Sequence, residues 1–216
     1  AHVRASGAIP ATVAVIDGSL RIGLSVDEIE RLGRGETEKA SLRDLGYLLA
    51  EGRTGSTTVA ATLFASHRAG IRLFATGGIG GVHRGYSKTL DMSQDLNTIK
   101  NTPLVIVCSG VKSFLDVEKT VEALETLGVT LLGFKTDSFP LFYSSYSNTR
   151  LQHKANSVED IVGVYQYNLG VGLLSSVLVL NPIPEKNQIP NSEINKIIDT
   201  SIVDLNKNKI IGKQAT

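Results

Sequence analysis

Residues 73–112 read LFATGGIGGVHRGYSKTLDMSQDLNTIKNTPLVIVCSGVK, and their reading decides the fold. An apolar run at 71–75 enters a glycine-rich stretch, and a second run at 104–108 ends in a Ser-Gly turn that delivers Lys112. Both runs have the length and content of buried strands, and each ends in a polar turn. That pattern suits an α/β protein, whose ligands gather in the crevice beyond the carboxyl ends of the strands.

Outward from this stretch the alternation continues. Residues 56–69 read as a helix of small residues ended by Gly70, suited to close packing on a sheet. Residues 113–127 read as a helix with Phe114, Val117, Val121 and Leu124 on one face and Gly128 as its stop. Residues 129–134 and 177–180 read as further strands, and 158–168 and 192–204 as further helices. Near the start, apolar runs at 11–16 and 20–24 flank Asp17-Gly18-Ser19, the strongest short hairpin signal. Ser25 then N-caps a short helix, whereas 34–55 reads either as strand then helix or mostly as loop. The expected fold is α/β: a mainly parallel sheet flanked by helices (α/β/α), with an N-terminal β-hairpin, in a single domain spanning 1–216.

Composition narrows the function. With 216 residues, 42% hydrophobic and 20% charged, and a net charge of +1 without a basic block, a phosphate-tracking nucleic-acid surface is not expected. One cysteine excludes an internal disulfide framework and fits a reducing compartment. No apolar run has the length of a membrane span, and no hydrophobic secretory signal is present. The chain opens on Ala1 and closes on IIGKQAT, which reads as a fragment of a longer protein.

Several residues in the opening stretch bear chemistry, each with two readings. TGGIGGVHRG, residues 76–85, is neither a dinucleotide fingerprint nor a Walker loop, because His83 and Tyr86 stand where glycine and lysine belong. It is either a backbone cradle for a phosphate or a tight turn without a ligand. His83 is either a structural imidazole or a proton carrier near neutrality. If 90–96 is helical, Asp91 and Asp95 share a face and repel, which suits Mg²⁺ or Mn²⁺; otherwise they form a solvated acidic turn. Lys112, read just ahead of a helix start near Ser113, faces the wrong end of a macrodipole that favours its neutral, nucleophilic amine. The other reading is a lysine that reaches out to solvent. Lys39 is a second cation, a fixed charge for a phosphate.

The stretches SGAIPATVAVIDG (6–18), KASLRDL (39–45), GSTTVAATLFASHRAGIRLFATGGIGGVHRG (55–85), LDMSQDL (90–96), TPLVIVCSGVKSFLD (102–116), TLGV (126–129) and TDSFPLFYS (136–144) resemble, in order, the pseudouridine-5′-phosphate glycosidase family. The resemblance implies cleavage of the C–C glycosidic bond of pseudouridine 5′-phosphate to uracil and ribose 5-phosphate, with a divalent metal, usually Mn²⁺. It implies that Lys112 attacks C1′, that Asp91 holds the metal, and that Lys39, Val59, Ser93, Gln94 and Asp95 touch substrate. Thr76 and His83 match loop positions assigned to the ribose phosphate or to proton transfer. It also implies a homotrimer, a cytoplasmic enzyme (mitochondrial or peroxisomal for a eukaryotic parent), and in some eukaryotic relatives fusion to a sugar kinase. Ser138 departs from the pattern, standing where relatives often carry an acid. The family's glutamate-bearing segment before this chain and asparagine-bearing segment after it lie outside the 216 residues. Two other readings are an inactive homologue serving binding or assembly, and a sugar-phosphate lyase or aldolase that uses a lysine imine.

Overall fold

The structure, a computed structural model, describes residues 2–35 and 37–208; the closing IIGKQAT lies outside them. The chain divides into two compact units, Ala1–Arg72 and Leu73–Thr216.

The first unit contains α1 (His2–Ala5), β1 (Val13–Ile16), β2 (Ser19–Ile22), α2 (Val26–Arg34), β3 (Glu38–Ala40), α3 (Leu45–Ala50), β4 (Gly55–Thr57) and α4 (Val59–Arg68). The sheet runs β2-β1-β4-β3. β1 pairs antiparallel with β2 and β4, and β3 pairs parallel with β4. The expected hairpin is present. Asp17 and Gly18 form its two-residue turn, both at positive φ (48° and 70°), as a turn matching the twist of its strands requires. Two bonds from the Arg31 guanidinium (2.8 and 2.6 Å) fix the Asp17 carboxylate and hold its pKa below the usual value. Ser25 caps α2 in a reciprocal capping box with Glu28. α4 buries Ala60, Ala61, Leu63 and Ala65, and its alanines are small enough to let it lie close to β1. Residues 34–55 resolve to strand, 3₁₀ turn and helix, with Leu45 and Leu48 joining Val15, Ala40 and Ala61 in one apolar cluster.

The second unit contains β5 (Leu73–Ala75), β6 (Val82–His83), α5 (Tyr86–Thr89), α6 (Gln94–Lys100), β7 (Val105–Cys108), β8 (Leu115–Asp116), α7 (Val117–Thr126), β9 (Thr130–Phe134), β10 (Lys154–Ala155), α8 (Val158–Gly170), β11 (Val177–Leu180) and α9 (Asn191–Lys207). Its main sheet, β10-β9-β11-β7-β5, is parallel throughout. β11 is buried along its whole length between β7 and β9, so the strand latest in sequence becomes the centre of the sheet. The α/β fold with a mainly parallel sheet stands.

Two expectations are corrected. The strand at 71–75 is not buried: it is the sheet edge, and Leu73 is 63% exposed. The helix expected from Ser113 begins at Val117, because the Asp116 side chain accepts the Lys119 N–H at 3.1 Å and caps it there. Residues Leu115 and Asp116 pair instead with Val82 and His83 as a two-stranded ribbon. Among the described residues no helix is long and apolar enough to cross a membrane.

Cys108, the last residue of β7, is 2% exposed, and burial pushes its thiol up to about 12. A thiol reacts as its thiolate. Native protein is therefore expected to resist iodoacetamide at pH 8 and to take up one label only after denaturation, as read by intact mass.

Candidate active site

The site begins where β5 and β7 end. Past Ala75 the chain bends at Gly77 and runs on through Gly81 into β6, and past Cys108 the segment Ser109–Lys112 runs beside it. Hydrogen bonds join the two: Ser109 N–H to Gly77 O (3.0 Å), Ile79 N–H to Gly110 O (3.1 Å) and Lys112 N–H to Ile79 O (3.2 Å). On the far side, Ser93 N–H donates to Gly81 O (2.9 Å) and His83 N–H to Asp91 O (3.1 Å). The glycine strand therefore lies between the segment bearing Lys112 and the segment bearing Asp91 and Ser93.

This arrangement changes the meaning of the glycines. The amides of Thr76, Ile79, Gly80, Val82 and His83 all donate to protein acceptors, which withdraws those five from any anion, and the tight turn of the stretch falls at its end, Arg84–Gly85, where Gly85 has φ 83°. None of Gly77, Gly78, Gly80 and Gly81 has positive φ. What they share is contact. A Cβ on Gly80 would lie 2.2 Å from Ser93 Oγ and 2.7 Å from Asp95 Oδ2, and one on Gly81 would lie 2.5 Å from Thr120 Oγ1. Glycine is required because side chains from distant elements close on the backbone.

The two aspartates separate. Ser93 caps α6 by accepting the Asp95 N–H at 3.2 Å, so Asp95 is helical and Asp91 lies outside the helix. They do not share the helical face their spacing allowed. Asp95 is 5% exposed, and its Oδ2 accepts the Gly80 N–H at 2.8 Å. Asp91 is half-exposed, with Oδ2 3.7 Å from His83 Nδ1. The His83 ring also meets Phe114, at 5.7 Å between centroids. Ser93 is partly buried, Gln94 is exposed, and Thr76 is partly buried with Oγ1 3.5 Å from Gly78 O.

Lys112 is exposed, and its ammonium has no hydrogen bond or ion pair among the described residues. It sits four residues before the cap of α7, so the macrodipole argument made for it does not hold. The carboxylate at that cap is Asp116. Burial raises its pKa, but bonds from the Lys119 side chain and amide and the charges of Lys119 and Arg84 outweigh that and leave it lowered.

In the first unit, Lys39 and Val59 also converge. Lys39 pairs in register with Ser56, Thr58 N–H donates to Ala40 O at 3.0 Å, and Val59 opens α4 one residue later. Lys39 is the middle residue of β3, and Val59 follows the end of β4 by two residues.

For a divalent cation, the donors are sparse. No group of three or more His, Cys, Asp or Glu that could hold a metal occurs among the described residues. An exposed carboxylate at Asp91 suits a hard octahedral ion that keeps most of its water, as Mg²⁺ and Mn²⁺ do, and does not suit a closed tetrahedral zinc centre.

Sequence reasoning missed the residues that shape the site from afar. Thr120 Oγ1 accepts the Val82 N–H at 2.9 Å, Ser109 links Gly77 O to Phe142 O, and the Phe142 ring covers Gly77 and Gly78. Their only signal is the glycines they touch.

Against known proteins, residues 1–216 match the family described as indigoidine synthase A like protein. The pseudouridine-5′-phosphate glycosidase of Glaesserella parasuis serovar 5 is 43% identical over 99% of this chain and 71% of its own length. That of Methylobacterium nodulans is 46% identical over 100% of this chain and 64% of its own, and that of Escherichia coli K12 is 43% identical over 99% and 69%. Among solved structures, an indigoidine synthase A-like protein of Thermotoga maritima is similar at TM-score 0.92 and 38% identity, covering 99% of this chain and 70% of that one. The prealnumycin C-glycosynthase AlnA, solved in complex with ribulose 5-phosphate, is similar at TM-score 0.91 and 34% identity, with the same coverage. The chain thus spans between 64% and 71% of the length of these relatives.

Proposed function

The chain belongs to the indigoidine synthase A-like family, and from that membership we propose that it cleaves the C–C glycosidic bond of pseudouridine 5′-phosphate, giving uracil and ribose 5-phosphate. One juxtaposition supports this above all. An exposed lysine and an exposed carboxylate beside a histidine flank the same glycine strand, beyond the carboxyl ends of a parallel sheet.

The chemistry suits an amine. A carbon leaving group offers no heteroatom to protonate, so a pair of carboxylates of the ordinary glycosidase kind does not suffice. The Lys112 amine attacks C1′ and the ring oxygen leaves with a proton, opening the sugar. The nitrogen lone pair then forms an iminium at C1′ as the C1′–C5 bond breaks, and uracil C5 takes up a proton. Water hydrolyses the iminium, releases ribose 5-phosphate and restores the amine. His83 stands beside Asp91 for proton transfer, and Ser93, Gln94, Asp95, Thr76, Lys39 and Val59 are the proposed substrate contacts. Asp91 would hold a Mn²⁺ ion; when bound, such an ion polarises substrate oxygens and carries acidic water. The trimer remains an implication of the resemblance, read by light scattering.

The test is turnover of pseudouridine 5′-phosphate by the 216-residue chain, with uracil and ribose 5-phosphate quantified together. Equal release of both, suppressed by EDTA and restored by Mn²⁺, is expected. Sugar-phosphate cleavage without uracil would favour the lyase or aldolase, and tight binding without turnover would favour the assembly module.

A further inference from the structure

The segment that carries Lys112 is held on both edges. Beyond its bonds to the glycine strand, it meets residues 139–143 on the other side. Gly110 bridges Leu141 in antiparallel fashion, Phe142 N–H donates to Ser109 O at 2.8 Å, and Ser113 Oγ donates to Leu141 O at 3.0 Å. The chain at 139–143 then reaches back across the segment it has just paired with. Ser109 Oγ donates to Gly77 O at 2.5 Å and lies 3.2 Å from Phe142 O, a second acceptor for the same proton, and the Phe142 ring lands on the two glycines. A Cβ on Gly78 would lie 2.4 Å from Phe142 Cδ2, and one on Gly77 would lie 3.2 Å from Cε2. Tyr143 backs the ring edge-on, at 4.5 Å and 83°.

Phe142 adopts this place at a cost. Its φ is 66°, a left-handed conformation that disfavours a residue with a Cβ by roughly 1–2 kcal/mol. A strained backbone held in place by its surroundings, next to residues with chemistry to perform, is where such strain tends to persist. Phe142 is only partly buried, and it is not among the residues of the apolar cluster that Val177 and Val179 of β11 form with Leu132 and Ile161. The ring meets Gly77, Gly78 and the Tyr143 ring, while the Phe142 backbone bonds Ser109, so one residue touches both segments that set the register of Lys112.

We infer that Phe142 is a positioning residue: its ring, wedged on Gly77 and Gly78, locks the glycine strand to Ser109–Lys112 and fixes the point from which the lysine amine is presented. This rests on the reading of Lys112 as the nucleophile. A displacement of about 1 Å in a reacting group costs roughly 10²-fold in rate. Of the proposed substrate contacts only Thr76 adjoins the wedge, so most of the loss falls on kcat.

The experiment compares the full chain with Phe142→Ala, Phe142→Leu, Gly78→Ala and the double variant Gly78→Ala/Phe142→Leu. Uracil release and hydrogen exchange of the Lys112 amide are followed in each. Expected are a drop in kcat of about 10²-fold for Phe142→Ala and about 10-fold for Phe142→Leu, with KM changed less than about threefold. Gly78→Ala, which pushes the ring away, loses comparably, and the smaller leucine in the double variant restores at least fivefold over Gly78→Ala. Exchange at Lys112 quickens in Phe142→Ala while α7 keeps its protection. Unchanged kcat in the Phe142 variants, no recovery in the double variant, or exchange that quickens equally through α7 and β11 would each overturn the inference. If Phe142→Ala does not fold, Phe142→Leu and the Gly78 pair decide it. A wild-type chain that releases no uracil overturns the function, and the wedge is then judged on exchange at Lys112.

Discussion

Replacing Lys112 with alanine is expected to reduce uracil release by at least about 10³-fold while leaving the melting temperature within about 2 °C of wild type. The stability half follows from what the side chain touches. Its ammonium has no hydrogen bond or ion pair among the described residues, and the backbone bonds, N–H to Ile79 O and carbonyl from Leu115 N–H, survive truncation. The activity half follows from the chemistry, since without a nitrogen at C1′ no group in the described site holds the positive charge that C–C cleavage develops. Borohydride added during turnover should trap a ribose-phosphate mass on Lys112 in the wild type and none in the variant. Lys112→Arg separates nucleophile from charge. A guanidinium keeps the cation but is never deprotonated in a protein, so it forms no imine. It should fail as completely as alanine. An arginine variant retaining a tenth of the activity would make Lys112 an electrostatic group and would remove the covalent route.

The fold was legible wherever a local signal is chemically unambiguous. Asp17-Gly18 specified a hairpin because few residue pairs accept two successive positive φ values, and the turn is found there. Ser25 specified a helix start as an N-cap, and the structure adds its reciprocal bonds with Glu28. Legibility failed where tertiary partners override a local pattern. Phe114, Val117, Val121 and Leu124 fit one helical face, yet Phe114 is taken by His83 and Leu115 by its pairing with His83, so the helix waits for the Asp116 cap. Strand 71–75 looked like any buried strand, because an apolar run carries no mark of whether one neighbour or two will flank it. The interposition of β11 between β7 and β9 is likewise decided by packing across seventy residues.

The candidate site divides the same way. That Lys112 would lie beside the glycine-rich stretch could be read from two strands ending in polar turns. What the glycines do could not. The same letter serves a tight turn, an anion cradle and a close contact, and only Ser93, Thr120 and Phe142, remote in sequence, select the third. The spacing of Asp91 and Asp95 allowed a shared face, but the cap at Ser93 falls between them and sends one to the buried Gly80 amide and the other towards His83.

Gly110→Ala is expected to be among the most destabilising single substitutions in the chain, at roughly 3 kcal/mol or more, lowering the melting temperature by about 6–12 °C. Two penalties coincide there. Gly110 has φ 101°, a conformation that L side chains rarely adopt, and its Cβ would be built 1.9 Å from Pro140 O. That carbonyl is poorly placed to retreat, because Phe139 N–H is bonded to Thr149 O at 2.9 Å, Leu141 N–H to Ser144 O at 2.8 Å, and Phe142 N–H to Ser109 O. Gly163→Ala supplies the opposite sign in the same chain. Gly163 lies inside α8 with nothing within 4 Å of the new methyl, so alanine should stabilise by up to about 1 kcal/mol through the lower entropy of the unfolded chain. Melting both variants beside the wild type separates the loss of a glycine from the loss of this particular approach. A Gly110 variant that melts with the wild type would mean that residues 139–142 do not press on the strand carrying Lys112. The clamp would then have no second edge, and the lysine would owe its position to the glycine strand alone.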